Sequence, residues 1–582
     1  MCPFPSPVTG LLVEAAPSRT RGTKAGPSAA PPRHLADLKF KVEPLQSAVA
    51  GTRSRGPGST PTAGRPARYL AHTPVVSDML PWDLAHAYRA EHGSTVGFVE
   101  PDLPQDYTFQ PDRAPQGLRT RSFGPDKCDD GTPYSGCWPH PSEPRIWHLD
   151  DDFSQLRAAR EYAQQGTSNA KVRIAHLDTG YSPTHLTCPQ HLDTRNQRDF
   201  VDGGTQAYDR GAEGTMLNPG HGTATLALLA GGIINPAQYG FAEELGGAPF
   251  AEVLPLRISA SVVLWRTSSF VQALEHLVRL PPADQVQIIT MSMGGLASRA
   301  WADAVNRAYE AGIFIVTAAG NNMGNKTPRH LVYPARFGRV VAACGACYDS
   351  SPYNRRDNGT EMQGNYGPLP LMRHAMAAYT PNLPWAKMAD AAQIDLDGAG
   401  TSSATPQVAA AAACYWRRHE KELQQLPAPW MRVEAVRRAL FSTAGRSTII
   451  TDDEDHDLFF GHGLLRARAA LEVPVPAPDQ LQLTPADEVH FPIFNVLFRE
   501  APPSSLRGEG ATRPAPDSVA IEMLTQELLQ LTQQHHELEE LLGDQLLYPA
   551  QLARPARNEF IERVLAMHES SQALRTYLKS RA

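Results

Sequence analysis

Cysteine is scarce in this chain of 582 residues, which contains seven, an odd number. Small disulfide-stapled proteins need many paired cysteines, so this count excludes that class and is typical of a reducing compartment. Long apolar runs are missing as well, and no stretch of about 18 apolar residues predicts a membrane-spanning helix. The N-terminus has no basic region followed by an apolar core. We therefore expect no secretory signal and a cytoplasmic location.

Strong net charge is also absent, because 54 Lys and Arg residues oppose 61 Asp and Glu residues for a net charge of −7. This mild acidity gives no reason to expect nucleic acid as a partner. Hydrophobic residues make up 42% of the chain and charged residues 20%, which excludes a wholly disordered or collagen-like protein. Proline is abundant: the chain contains 51 prolines, well above the usual share of about 5%.

The N-terminal quarter of the chain divides by composition. Residues 1–36 are rich in Pro, Ala and Arg and lack aliphatic periodicity, so we predict a disordered tail. Residues 37–105 contain strand-like and helix-like segments around a Pro- and Gly-rich stretch, 51–65. They predict a small α+β module with a disordered insert. Residues 106–146 are predicted to be a linker.

The C-terminal end divides in a similar way. Residues 472–517 contain runs of proline and are predicted to be a linker. In residues 518–582, leucines recur at spacings of three and four, which predicts a helical hairpin or a short coiled coil. Packing within the chain and self-association or binding of a protein partner through this segment are both open.

From Lys171 onward, short and nearly continuous apolar runs alternate with helix-like stretches. This pattern predicts an α/β fold with a doubly wound, mostly parallel sheet and helices on both faces. Ligands of such sheets bind beyond the carboxyl ends of the strands. The residues that follow each apolar run are therefore the first candidates for function.

Three segments at such positions carry the residue types of a hydrolytic triad. Asp178 follows an apolar strand, His221 stands between two glycines where a helix begins, and Ser402 opens a further helix. In a triad, the His removes the Ser proton, while the Asp holds the imidazole tautomer and stabilises its charged form. A fourth segment, after another strand, contains Asn321, whose side-chain amide can donate a hydrogen bond to an oxyanion.

Together these segments resemble the signatures of the subtilisin-like serine peptidases, the subtilases of family S8. The motifs Asp178-Thr-Gly, His221-Gly-Thr and Gly-Thr-Ser402-x-Ala-Thr-Pro follow one another in the family's order. Ala319-Gly320-Asn321 resembles the family's oxyanion segment. The resemblance covers residues 147–471, which it identifies as a catalytic domain with the subtilisin-like sheet.

The resemblance implies a serine endopeptidase that hydrolyses peptide bonds of protein substrates through an acyl-enzyme intermediate. Ser402 would be the nucleophile, His221 the general acid and base, and Asp178 the residue that orients His221. The Asn321 side chain and the Ser402 backbone N–H would form the oxyanion hole. A substrate strand would lie along the segment that also lines the S1 pocket, and the expected contacts are Met291, Ser292, Met293, Gly294, Gly295, Ala319 and Gly320.

No cofactor is required for this chemistry. Structural calcium is common in the family, but the sequence shows no convincing set of acidic ligands, and the acidic run 452–457 is more typical of a solvated loop. The chain also departs from the family at Ser403 and Gln407, where Met and His are usual. These departures leave the substrate preference open and do not affect the expected chemistry.

The segment Val99-Glu-Pro-Asp-Leu103 is similar to the end of a subtilase prodomain. The module 37–105 is therefore either a prodomain-like inhibitor or a simple structural appendage. Because indiscriminate proteolysis would harm the cell, both terminal extensions are candidates for regulation. A different class of function is a catalytically silent adaptor that recruits partners through its C-terminal helices. Another acyl hydrolase, such as an esterase, is disfavoured because no Gly-x-Ser-x-Gly motif is present.

Overall fold

The computed structural model describes residues 9–15, 40–46, 67–73, 79–92, 96–105, 146–165, 171–211, 218–233, 243–262, 266–323, 327–353, 362–489, 493–498, 518–542 and 554–581. Its strands are β1 (Thr9–Ala15), β2 (Lys41–Gln46), β3 (Arg68–Thr73), β4 (Val96–Pro101), β5 (Arg173–Asp178), β6 (Arg198–Asp199), β7 (Glu252–Arg257), β8 (Ile288–Met291), β9 (Phe314–Ala318), β10 (Asn321–Met323), β11 (Val341–Ala346), β12 (Met362–Gly364), β13 (Ala375–Tyr379), β14 (Leu383–Ala386) and β15 (Ile394–Gly398).

The helices are α1 (Pro81–His92), α2 (Leu156–Gln164), α3 (His221–Ala230), α4 (Thr267–Val278), α5 (Arg299–Glu310), α6 (Thr401–Arg418), α7 (Glu420–Gln424), α8 (Pro429–Ser442), α9 (Asp453–Phe460), α10 (Ala467–Ala470), α11 (Ile493–Phe498), α12 (Ser518–Gln534), α13 (His536–Leu542), α14 (Arg554–Ala566) and α15 (Gln572–Arg581). None of the described helices is long and apolar enough to cross a membrane.

Seven strands form the central sheet in the order β13-β11-β9-β8-β5-β7-β6. Every neighbouring pair in this sheet is parallel. The chain adds β6 and β7 on one side of β5 and then crosses to add β8 and the remaining strands on the other. The prediction of a doubly wound parallel sheet is confirmed, and the carboxyl end of β5 is its switch point, where ligands of such sheets bind.

Helices cover both faces of the sheet because successive strand residues point to opposite sides. Ile174 of β5 lies in a core that includes residues of α2, α3, α6 and α8. Its neighbours on the other face, Ala175 and Leu177, lie in a second core with residues of α4 and α5. Burial on both faces explains why these strands are continuously apolar.

The N-terminal module is an antiparallel sheet in the order β2-β3-β1-β4, which packs with α1. The prediction of a disordered tail over 1–36 is wrong for Thr9–Ala15, because β1 is an inner strand of this sheet. Leu11 and Val13 face the core of the module, whereas Leu12 faces the second core, which belongs to the predicted catalytic domain over 147–471. Both sides of β1 are buried, so it lacks the alternating pattern by which a half-exposed strand is found in a sequence. The insert 51–65 lies outside the described residues.

Two carboxylates at the end of β4 hold the module on the catalytic domain. Asp102 accepts hydrogen bonds from the backbone N–H of Ser268, at 2.8 Å, and from its hydroxyl, at 2.8 Å. Glu100 accepts a hydrogen bond from the backbone N–H of Ala300, at 2.7 Å. The first N–H groups of a helix have no partner within the helix and carry partial positive charge. The carboxylates therefore cap the N-termini of α4 and α5.

A buried cation reinforces this interface. Arg68 of β3 is fully buried, and its guanidinium contacts Glu14, Glu100 and Asp303 of α5. Desolvation would lower the pKa of Arg68, but the three carboxylates hold it above its ordinary value. A buried charge is tolerated only when it is paired in this way.

The segment predicted as the linker 472–517 is in part bound to the catalytic domain. Thr484 and Pro485 accept hydrogen bonds from the Arg339 guanidinium through their backbone carbonyls. Asp487 accepts hydrogen bonds from the backbone N–H groups of Gly338, at 2.6 Å, and Arg339, at 3.1 Å. Helix α11 follows. The predicted linker 106–146 lies almost entirely outside the described residues.

The described residues of 518–582 form four helices, α12 to α15, where the sequence predicted a hairpin or a coiled coil. Their leucines lie in the second core of the catalytic domain with residues of α4 and α5. Met523 of α12 lies in the core of the N-terminal module. The apolar stripe of this segment is thus used within the chain.

Glutamine side chains of α12 join the module, the catalytic domain and the C-terminal helices. Gln530 donates a hydrogen bond to the Ala297 carbonyl at 2.7 Å, and its own side-chain carbonyl accepts one from the Trp82 indole at 2.9 Å. Gln533 accepts a hydrogen bond from the Ala297 backbone N–H at 2.9 Å. Because these polar groups are buried, each hydrogen bond also avoids the cost of an unpaired donor or acceptor.

Candidate active site

Asp178 and His221 meet at the switch point of the sheet. Asp178 is the last residue of β5 and His221 the first of α3, and His221 Nδ1 lies 2.7 Å from Asp178 Oδ1. Asp178 Oδ1 also accepts a hydrogen bond from the Thr179 backbone N–H at 2.8 Å. Burial alone would raise the pKa of Asp178, but the charge and hydrogen bond of His221 and the Thr179 N–H hold it below its ordinary value. The pair is therefore a buried carboxylate that fixes the orientation of an imidazole.

Glycines allow α3 to approach the end of β5 this closely. A Cβ atom added to Gly222 would lie 2.0 Å from the carbonyl oxygen of Gly180. Gly180 itself has a φ of 101°, in the left-handed region that glycine adopts without strain. The Asp178-Thr-Gly and His221-Gly-Thr motifs thus contain the residues needed for close backbone contact as well as the functional pair.

Ser402 lies in the first turn of α6, which packs against α3. Its hydroxyl donates a hydrogen bond to the Ser292 carbonyl at 3.2 Å, and the Ser292 hydroxyl donates to the Ser402 carbonyl at 2.9 Å. His221 Nε2 is buried and has no hydrogen-bond partner among the described residues. The structure thus joins Asp178 to His221 directly, but the Ser402 hydroxyl is hydrogen-bonded to Ser292 and not to His221.

The position of the Asn321 amide is set by the start of α6. Its Oδ1 accepts hydrogen bonds from the backbone N–H of Thr401, at 2.9 Å, and from the Thr401 hydroxyl, at 3.2 Å. A backbone N–H can only donate, so the Asn321 oxygen must face Thr401 and its NH₂ group is left to donate elsewhere. That NH₂ group lies beside Gly400, next to the nucleophile candidate, where a Cβ atom on Gly400 would be 3.0 Å from Nδ2.

The predicted substrate segment continues from β8. Met291 ends the strand, Ser292 and Met293 follow, and Gly295 forms an antiparallel bridge with Tyr333, with Gly295 N–H donating to the Tyr333 carbonyl at 2.8 Å. In the other predicted substrate segment, the Ala319 carbonyl accepts a hydrogen bond from the Val332 backbone N–H at 3.0 Å. These contacts hold the two predicted substrate segments at a fixed separation.

The sequence did not single out Val332, which lies between these two segments. A Cβ atom on Gly294 would be 2.2 Å from Val332 Cγ2, and one on Gly320 would be 3.1 Å from both Val332 methyl groups. Val332 is fully buried. Its isopropyl group, together with the Asn365 amide 2.5 Å from a Cβ on Gly320, therefore fills the space that the two glycines leave open.

His176 and Thr225 were also missed. His176 Nε2 lies 2.8 Å from Thr225 Oγ1, which in turn donates to Asp178 Oδ2 at 3.1 Å. In both cases, the spacing along the sequence indicates that the residue lies near the proposed triad. His176 precedes Asp178 by two residues on a strand, and Thr225 follows His221 by four on a helix, so each shares a face with its partner.

The two departures from the family motif are packed into the body of the domain. Ser403 donates a hydrogen bond to the Thr380 hydroxyl at 2.9 Å, and Gln407 donates to the Tyr379 carbonyl at 2.7 Å. Both therefore bind the end of β13.

The acidic run at 452–457 forms the start of α9, where Asp452 caps the helix by accepting a hydrogen bond from Asp455 N–H at 3.0 Å. Within the described ranges, no group of three or more His, Cys, Asp or Glu side chains is arranged to hold a metal ion.

We predict that Gly222→Ala destabilises the protein, because the new methyl group would overlap the Gly180 carbonyl and force α3 away from β5. The expected loss is about 1–3 kcal/mol of unfolding free energy, as for other overpacked sites, measured by urea denaturation. The matched control is Gly232→Ala beyond the end of α3, where the nearest contact of an added Cβ is the Gln190 side chain at 3.7 Å. Equal stability of the two variants would contradict the prediction.

Comparison with known proteins identifies the family of this chain. Residues 169–463, about half of the chain, match the Peptidase_S8 model of the subtilase family. Subtilisin DY of Bacillus licheniformis is 26% identical over 320 residues, which cover 54% of this chain and 97% of that protein. Subtilisin NAT of Bacillus subtilis subsp. natto is 26% identical over 323 residues, which cover 55% and 70%. The minor extracellular protease Epr of Bacillus subtilis (strain 168) is 28% identical over 324 residues, which cover 55% and 42%. The predicted family is confirmed: this chain belongs to the subtilases, the S8 family of serine peptidases.

Proposed function

We propose that this protein is a serine endopeptidase that hydrolyses peptide bonds with Ser402, His221 and Asp178. The buried hydrogen bond of 2.7 Å between Asp178 and His221 is the observation that carries the proposal. His221 Nε2 has no hydrogen-bond partner among the described residues. Helix α6 of the same domain carries Ser402 in its first turn. A buried imidazole nitrogen that lacks a partner is suited to receive a proton during a reaction.

The reaction begins when the Ser402 side chain rotates away from the Ser292 carbonyl. His221 Nε2 takes the hydroxyl proton as Oγ attacks the carbonyl carbon of the scissile peptide bond. The negative charge that develops on the carbonyl oxygen is stabilised by the Asn321 NH₂ group and the Ser402 backbone N–H. Asp178 stabilises the imidazolium that forms.

The tetrahedral intermediate collapses when His221 returns its proton to the amine of the leaving peptide. The acyl group then remains on Ser402. Water attacks this ester and His221 accepts the water proton. The second tetrahedral intermediate then collapses as His221 returns this proton to Ser402 Oγ, which releases the acid product and restores the Ser402 hydroxyl. No step of this sequence requires a metal or an organic cofactor.

We predict that Ser402→Ala removes peptide-bond cleavage and labelling by a fluorophosphonate probe, because both depend on the Oγ nucleophile. The matched control is Ser403→Ala. Ser403 adjoins the nucleophile, but its hydroxyl is held by Thr380 and the Gly400 carbonyl. This control is expected to retain cleavage and labelling. Full activity in Ser402→Ala, with circular dichroism unchanged, would refute the proposed function.

Substrate preference follows from Val332, which fills the space between Gly294 and Gly320. Those glycines lie on the two segments expected to frame the side chain that precedes the scissile bond. We therefore propose a preference for a small side chain, such as Ala or Ser, at that position. Two substrates that differ by one methylene in a hydrophobic pocket are distinguished by about 1–3 kcal/mol.

We predict that Val332→Ala raises kcat/KM for a peptide with Phe before the scissile bond by at least about tenfold relative to the matched Ala peptide. The larger cavity would admit the ring. The control is Val433→Ala, which shortens a buried valine of α8 in the first core and should leave the ratio unchanged. A wild-type preference for Phe would contradict the narrow pocket without affecting the Ser402 assignment.

The N-terminal module is suited to regulate this site. Its last described residue, Gln105, is buried and accepts a hydrogen bond from the Leu296 backbone N–H at 2.7 Å through its side chain. A Cβ atom on Gly295 would lie 2.7 Å from the same oxygen. Gln105 therefore covers the end of the predicted substrate strand. We propose that the module is a prodomain-like inhibitor and that α12, which hydrogen-bonds to both the module and the catalytic domain, helps to retain it.

We predict that Asp102→Ala raises the rate of peptide hydrolysis, because it removes the cap of α4 and weakens docking of the module. A loss of one cap is worth about 0.5–2 kcal/mol, so a rise of several fold is expected in a peptide assay. The control is Glu43→Ala, which removes a half-buried carboxylate of β2 that pairs with Lys41. Equal rates in both variants would assign the module a purely structural role.

The alternative of a silent adaptor that recruits partners through its C-terminal helices is less well supported. Leu524, Leu528 and Leu531 of α12 are buried in the second core, so the predicted recognition stripe is occupied within the chain. Self-association through 518–582 and a cytoplasmic location both stay predictions.

A further inference from the structure

A second histidine lies beside the proposed triad, and the proposed mechanism gives it no role. His176 is on β5, two residues before Asp178, and only 2% of it is exposed. Any role of His176 at this site rests on the proposed function, because it concerns how the same Asp178 carboxylate is held.

Thr225 connects His176 to Asp178. Its hydroxyl oxygen lies 2.8 Å from His176 Nε2 and 3.1 Å from Asp178 Oδ2, whereas His176 Nε2 is 3.8 Å from that carboxylate oxygen. The direct distance between His176 and Asp178 is too long for a hydrogen bond. The hydroxyl of Thr225 therefore mediates the contact.

The protonation states of His176 and Asp178 decide which group donates in each of the two hydrogen bonds of Thr225. Burial lowers the pKa of His176 to about 4, although Asp178 opposes the shift, so the ring is neutral near pH 7. A carboxylate can only accept a hydrogen bond, so the single proton of Thr225 must point to Asp178 if that contact forms. His176 must then donate its Nε2 proton to Thr225.

Thr225 has a competing acceptor within its own helix. Its hydroxyl lies 3.3 Å from the carbonyl oxygen of Gly222, a contact that threonine makes readily in helices. All three contacts are made from one position of Thr225 Oγ1, so the competition is over the direction of its proton, and a donor on the opposite side favours the direction toward Asp178. His176 is placed to supply that donor.

We propose that His176 is a positioning residue that donates its Nε2 proton to Thr225 and thereby holds the Thr225 hydroxyl on Asp178 Oδ2. Asp178 then accepts hydrogen bonds at both oxygens: Oδ1 binds His221 and the Thr179 N–H, and Oδ2 binds Thr225. A carboxylate fixed at both oxygens cannot rotate, so the orientation of His221 is fixed as well.

A packing role alone does not account for His176. An apolar residue would fill a buried strand position without the cost of placing polar ring nitrogens in the core, and that cost is offset only by a hydrogen bond. Its described partner, Thr225, lies four residues after His221 on α3. His176 therefore acts on the same helix face that carries the proposed general base.

The kinetic test compares His176→Met, which lacks a donor, with His176→Gln, which keeps an N–H at similar reach. We expect His176→Met to lower kcat about tenfold, equivalent to about 1.4 kcal/mol of transition-state stabilisation, with KM unchanged. His176→Gln should recover most of the loss. Equal losses in the two variants, or full activity in His176→Met, would overturn the proposal.

A double-mutant cycle tests whether His176 acts through Thr225. Thr225→Val removes the hydroxyl and keeps the shape, so adding His176→Met to it should cost nothing further in kcat. If the two losses multiply, His176 does not act through Thr225 and the proposal fails. Thermal unfolding of each variant identifies any loss of folded protein.

A third measurement is independent of peptidase activity. In protein labelled with ¹⁵N-histidine, the chemical shifts of His176 report which ring nitrogen carries the proton, and the proposal requires Nε2–H in a neutral ring. An unprotonated Nε2 would overturn it. If the wild-type chain neither cleaves peptides nor reacts with a fluorophosphonate, the proposed function fails, while the tautomer of His176 still decides this inference.

Discussion

The buried hydrogen bond between Asp178 and His221 is the contact on which the site depends. It requires the end of β5 and the start of α3 to meet at backbone contact distance, which only glycine permits at Gly222. It also requires the carboxylate to remain charged inside the domain. Burial would raise the pKa of Asp178 and disfavour the charged form, but the hydrogen bonds that Asp178 accepts favour the charged form. The fold thus produces an oriented imidazole before any substrate arrives, and the proposed chemistry uses that orientation.

The N-terminal module and the C-terminal helices pack against the domain that carries the candidate site. The module contributes carboxylates that cap α4 and α5, and α12 contributes glutamines that bind the loop leading into α5. The second core contains residues of the module, of α4 and α5, and of the C-terminal helices. Since these elements share buried apolar surface, movement of one must disturb the others. This coupling is the physical basis of the proposed regulation, in which the chain ends influence a site that is distant in sequence.

Much of the candidate site could be predicted from the sequence, because the patterns that indicate it are local. A strand end, a helix start and a glycine are recognised within a few residues, and the order of the motifs identified the family. The parallel sheet was predicted for the same reason, since burial on both faces leaves continuous apolar runs. Strand β1 was missed because both of its faces are covered by partners from elsewhere in the chain, and a short apolar run in a Pro- and Ala-rich segment does not reveal them.

The sequence by itself determined the residue types and the backbone positions of the proposed triad, of the oxyanion donor and of the parallel strands that present them. Only the tertiary structure decided which groups surround them. Val332 fills the space between Gly294 and Gly320, Thr225 links His176 to Asp178, and Gln105 covers the end of the predicted substrate segment. Each of these contacts joins segments that are distant in sequence. Local spacing indicates which residues share a face, such as His176 with Asp178, but the contacts between segments arise only when the cores on both faces of the sheet pack together.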